Sequence, residues 1–81
     1  MAEEHDKVRD RIVVDPKVLV GKPALKGTRI PVSLILNLLE HGYDFARIRE
    51  DYPILTDDDI KAAIAYAQAR LNREDIRLLH P

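Results

Sequence analysis

No cysteine occurs among the 81 residues, so neither a disulfide nor a thiolate metal site can staple the fold. A small chain without cysteine suits a reducing compartment, and a cytoplasmic location is expected. No apolar run approaches the length that crosses a bilayer, and the first ten residues are polar, mixed in charge and without an apolar h-region. These absences predict neither a membrane span nor a secretory signal. No internal repeat or low-complexity segment is visible. His5, His41 and His80 are scattered over an arm, a helix end and a tail, at spacings that make no metal site. Nothing in the chain pairs a nucleophile with a base or sets up two carboxylates for acid–base work. Enzymatic activity and a cofactor are therefore not expected.

One sign of charge is missing from one stretch. The net charge is only −1, yet residues 16–39 hold Lys17, Lys22, Lys26 and Arg29 and no acid. Residues 40–59 hold Glu40, Asp44, Glu50, Asp51, Asp57, Asp58 and Asp59 against only Arg47 and Arg49. A basic block beside an acidic block predicts a dipolar surface.

The length allows one small domain whose own burial is marginal, so added buried area from a partner chain is expected. Residues 1–11 read as a solvated arm. Ile12-Val13-Val14 is a β-branched run ending at the turn signal Asp15-Pro16, and a second extended piece lies near residues 24–26. The two predict a β-ribbon connected through residues 17–21, which must lie on the helices or on a second subunit because two strands alone are unstable. Pro31 suits the first turn of a helix that stops at Gly42. That helix, with Val32, Leu34, Ile35, Leu36, Leu38 and Leu39, is apolar nearly all round, which predicts a homodimer with Leu34 and Leu36 at its interface.

Asp44 is a fair N-cap for a second helix with Phe45, Ile48 and Tyr52 on its apolar stripe, ended by Pro53. Thr56 and Asp59 form a shortened capping box ahead of a third helix, whose core stripe is Ile60, Ala63, Ile64, Ala67 and Leu71. Its solvent face is Asp57, Asp58, Lys61, Ala65, Gln68 and Asn72. Tyr66 lies to one side, where it either forms a contact between subunits or caps the edge of the core. The domain is expected to span 12–72, and 73–81 to be a tail. Ile76, Leu78 and Leu79 gain burial there only with a partner, and the segment from Leu71 onward is expected to dock on it. The expected fold is mainly α: a short N-terminal β-ribbon followed by a three-helix bundle of helix-turn-helix type.

In that geometry the third helix is the reader, with Lys61 and Gln68 able to donate to base edges or phosphates. Its three leading aspartates oppose a duplex, so positive charge must come from the ribbon, through Lys22, Lys26 and Arg29. The competing class is a protein-binding or dimerisation module that never touches DNA, with the acidic helix start as part of its docking face.

The residues Asp15-Pro16, Gly21-Lys22-Pro23, Lys26-Gly27-Thr28-Arg29-Ile30-Pro31-Val32, Gly42, Tyr52-Pro53, Leu55-Thr56, Asp59-Ile60, Ala62-Ala63 and Tyr66-Ala67 closely resemble the domain-of-unknown-function family 433. The resemblance covers residues 12–67, and the Gly-Thr-Arg-Ile-Pro and Tyr-Pro-x-Leu-Thr motifs carry it. It implies a VapB-like antitoxin with a homeodomain-like helix-turn-helix, encoded beside a PIN-like ribonuclease that it neutralises. Operator DNA and autorepression are further implications. Read without the resemblance, residues 27–31 simply turn the ribbon into the first helix. Gly27 then supplies a special backbone conformation, Thr28 bonds locally and Pro31 begins the helix. The functional reading makes Arg29 a contact to phosphate or to an acidic partner.

Overall fold

The computed structural model describes the backbone of residues 10–79 and side chains as far as Leu71. The expected arm, up to residue 9, lies outside the described residues, as does His80. Strands β1 (Ile12–Val13) and β2 (Ala24–Leu25) pair antiparallel, Ile12 opposite Leu25 and Val13 opposite Ala24. So short a ribbon persists because β2 is bonded on both edges. Ala24 also bridges Pro31, Leu25 N–H donates to the Ile30 carbonyl at 3.0 Å, and Val32 N–H donates to the Pro23 carbonyl at 2.9 Å. Arg11 belongs to this unit rather than to the arm, since its carbonyl accepts from Lys26 N–H at 2.7 Å.

The connection between the strands folds in two steps. Asp15 makes an Asx turn, its Oδ1 accepting from Lys17 N–H at 2.9 Å. The chain then passes through one left-handed helical turn, Leu19–Gly21, with φ of 51° at Leu19, 56° at Val20 and 82° at Gly21. Gly21 adopts this without strain. The two residues with a Cβ each lose about 1–2 kcal/mol, and a β-branched residue there is a rare outlier.

Helix α1 (Val32–Glu40) is preceded by Pro31 as its N-cap, one position earlier than the first turn anticipated from sequence. Its end is a Schellman motif. Gly42, at φ 90°, donates to the Leu39 carbonyl at 3.0 Å, and Tyr43 N–H donates to the Leu38 carbonyl at 3.0 Å. His41 adds an Nδ1 contact to the Asn37 carbonyl at 2.7 Å, the helix-end role its position predicts.

Helix α2 (Phe45–Asp51) begins at Asp44, whose Oδ1 accepts from Arg47 N–H at 2.8 Å. After Tyr52 the chain turns through Pro53, with Leu55 N–H donating to the Tyr52 carbonyl at 2.9 Å. Helix α3 (Asp57–Leu79) opens on a reciprocal capping box. Thr56 Oγ1 accepts from Asp59 N–H at 3.2 Å, and Asp59 Oδ2 accepts from Thr56 N–H at 3.0 Å. The backbone is helical through Leu79, so the segment expected as a tail from residue 73 is continuous with α3 that far. At 23 residues α3 is about 34 Å long.

The core draws one large, fully buried side chain from β2 and each helix: Leu25, Ile35, Ile48 and Ile60. Val32, Leu55 and Ala63 complete it, and α3 is the hub, packing on α1, α2 and β1. The described residues thus form a mainly helical fold with three helices and a short antiparallel ribbon. The all-round apolar α1 resolves into a buried side, Val32 and Ile35, and half-buried flanks in which Leu36, Leu38 and Leu39 lean on the core. Leu34 is half-buried.

Candidate nucleic-acid interface

The Gly-Thr-Arg-Ile-Pro segment is built by its own side chains. Gly27, at φ 79°, is the third residue of a turn closed by Thr28 N–H donating to the Leu25 carbonyl at 3.0 Å, a place that favours glycine. The Thr28 hydroxyl donates to the same carbonyl at 2.7 Å and accepts from Ile30 N–H at 3.0 Å. Ile30 packs against the core and Pro31 leads into α1. Arg29 alone contributes nothing to this turn and is exposed, like Lys17, Lys22 and Lys26. Among the described residues no carboxylate forms a salt bridge with any of these four cations. The motif therefore divides into a scaffold (Gly27, Thr28, Ile30, Pro31) and a presented cation.

This division is testable. Thr28→Val keeps the shape but leaves the half-buried Ile30 N–H without its acceptor, so a loss of about 1–3 kcal/mol is expected. The shift of the urea midpoint measures it, and Thr28→Ser should retain most of the stability. An unchanged midpoint for Thr28→Val would mean that the hydroxyl is incidental to the turn.

At the start of α3 Asp57 and Asp58 are exposed and Asp59 is half-buried in the capping box, as the sequence places them, but none of the three carboxylates stands alone. Arg11 Nη1 donates to Asp59 Oδ1 at 3.0 Å and Nη2 lies 3.6 Å from Asp58 Oδ2, while Arg49 Nε is 2.8 Å from Asp57 Oδ1. Partly exposed pairs of this kind contribute little to stability, about 0.2–1 kcal/mol each. Their effect is on the local charge: three carboxylates against two guanidinium groups leave −1 where the sequence suggested −3. Nothing in the spacing reveals Arg11, since it and Asp59 are 48 positions apart. Arg49 and Asp57 are brought together by the α2–α3 turn, which the Tyr-Pro-x-Leu-Thr motif builds: Tyr52 and Leu55 pack in the core, and Thr56 caps.

Along α3, Lys61 and Gln68 are exposed and seven residues apart, hence on one face. Ala65, placed on that face by sequence, is half-buried, and Ala62 is fully buried. The core stripe runs out before Leu71, which is 54% exposed. Tyr66 caps the edge of the core, with Arg70 over its ring at 5.8 Å and Arg70 Nη1 3.5 Å from its hydroxyl. Ile76, Leu78 and Leu79 lie on the helical backbone, with side chains outside those described. An open depression lined by Arg49, Pro53, Leu55, Thr56, Asp57 and Asp58 lies at the start of α3. Among the described residues no group of three histidine, aspartate or glutamate side chains could hold a metal ion, and no helix is long and apolar enough to cross a membrane. The structure thus presents two separate sets of donors, Lys22, Lys26 and Arg29 around β2 and Lys61 and Gln68 on α3.

Residues 12–67 match the family described as "Protein of unknown function (DUF433)", and the chain belongs to it. The uncharacterized protein y4eO of Sinorhizobium fredii is 33% identical over 61 residues, which cover 75% of this chain and 28% of that protein. The chain thus spans little more than a quarter of that relative's length. An uncharacterized protein of Archaeoglobus fulgidus is 74% identical over 24 residues, 30% of this chain and 67% of that one. The crystal structure of a DUF433 member from Anabaena variabilis shares the fold, with a TM-score of 0.73 at 24% identity over 98% of this chain and 78% of that chain.

Proposed function

We propose that this DUF433 protein is an antitoxin-like regulator that binds operator DNA through its ribbon and neutralises a PIN-like ribonuclease, repressing its own operon. The observation that carries the DNA part is the exposed set Lys22, Lys26 and Arg29, held on turns around a doubly bonded strand and not drawn into any described ion pair. Cations so placed match the phosphate backbone, whose neutralisation supplies most non-specific affinity. The pairing of Asp57, Asp58 and Asp59 with Arg49 and Arg11 supports the reading further, because it lowers the repulsion of a duplex from α3. Helix α2, a short turn and α3 follow the helix-turn-helix order, with Lys61 and Gln68 available to base edges. The ribonuclease part rests on the family resemblance alone, with Leu71, Ile76, Leu78 and Leu79 as the docking residues.

A second reading, a protein-binding module that leaves DNA alone, draws on the residual −1 at the α3 start and on the 60% exposed Ile54 beside it. One experiment separates the two. The pure protein is titrated into fluorescent duplexes carrying its own upstream sequence or a scrambled one, at low and physiological salt. A preference for its own sequence that survives physiological salt is expected. Equal and weak binding to both duplexes would discard the regulator in favour of the protein-binding module.

A further inference from the structure

The two most exposed large hydrophobic side chains among the described residues are Val20, at 91%, and Ile54, at 60%. Their surroundings are opposite in charge. Val20 sits on the left-handed turn between Lys17 and Lys22, both exposed, in the acid-free part of the chain. Ile54 follows Glu50 and Asp51, both exposed and in no described ion pair. Within one copy Val20 is a poor choice twice over. Its side chain remains in water, and its backbone, at φ 56° and ψ 39°, occupies a region that glycine or asparagine adopts more easily. Such strain is retained where the surroundings use it. The half-buried flanks of α1, by contrast, already lay part of their apolar surface on the core.

We propose that two copies of this chain associate by docking the basic Lys17–Val20–Lys22 turn of one on the acidic Glu50–Asp51–Ile54 turn of the other. Each such contact covers one Val20 and one Ile54, and sets a pair of like charges against its opposite. An apolar centre with a charged rim is the anatomy of a specific interface. Of the residues in this contact only Lys22 is shared with the nucleic-acid reading, so Val20→Gly and the Glu50→Lys/Asp51→Lys reversal test the association without touching the cations assigned to DNA.

The test is the mass of the full chain in solution, by sedimentation equilibrium at high micromolar concentration and two ionic strengths. The wild type is expected above the 9.3 kDa of one copy and to fall towards it as salt rises. Val20→Gly suits the backbone, so it should keep the helical circular dichroism while weakening association roughly tenfold or more. Lys17→Glu/Lys22→Glu and Glu50→Lys/Asp51→Lys should each fail to self-associate, because like charges then face each other. A mixture of these two variants should associate again. A wild type that stays at 9.3 kDa throughout would overturn the proposal. So would a dimer indifferent to Val20→Gly and to both charge reversals, which would place the interface elsewhere, on α1 for instance.

Discussion

Ile60→Ala is expected to lower the unfolding free energy by about 2–5 kcal/mol, because truncating a fully buried isoleucine loses both transfer energy and packing. Ile60 has no exposed surface and lies in the core with Leu25, Ile35 and Ile48, where α3 meets the rest of the fold. In a domain of this size the loss corresponds to roughly 8–40 °C in the melting temperature. It is also a large share of the roughly 5–15 kcal/mol typical of native proteins. Leu71→Ala, on the same helix but 54% exposed, should change stability by no more than about 0.5 kcal/mol. The pair is measured by urea or thermal unfolding at one protein concentration. Equal shifts would mean that the core is not centred on the start of α3.

The second large effect concerns charge. Replacing Lys22, Lys26 and Arg29 together by alanine should leave the melting temperature nearly unchanged, since all three side chains are exposed. The slope of log affinity against log salt for duplex DNA should flatten by roughly 0.9 for each phosphate contact removed, about 2.7 in all. Lys61→Ala in parallel reports on α3 and should remove about one contact at most. If the triple variant keeps the wild-type slope, the ribbon does not address DNA.

Most element boundaries could be read from sequence because each rests on chemistry within a few residues. Gly42 ends α1 through a conformation that glycine adopts without strain, and Asp44 caps α2 with its own carboxylate. Thr56 and Asp59 cap each other across three positions. The ribbon was legible too, as a β-branched run and a second extended piece bounded by turn residues. The structure pairs Ile12–Val13 with Ala24–Leu25 across the turns of residues 14–23.

Other features were not legible, each for a physical cause. The clamp of Arg11 on Asp58 and Asp59 joins parts of the chain that only folding brings together. Ala62 is fully buried although it lies off the stripe that helical periodicity marks, because more than one element packs on α3. The left-handed turn carries only one of its three residues as glycine, so turn propensity gives no sign of it at Leu19 and Val20.

For the candidate site the division is similar. The sequence by itself determined that residues 16–39 carry four cations and no acid, and it placed Lys61 and Gln68 on one face through helical repeat. Only the tertiary structure decided that the aspartates of α3 are answered by Arg11 and Arg49, and that the most exposed apolar groups sit in opposite electrostatic settings. Covalent neighbours and helical spacing are properties of the chain, whereas ion pairing and exposure depend on which distant segments the core has drawn together.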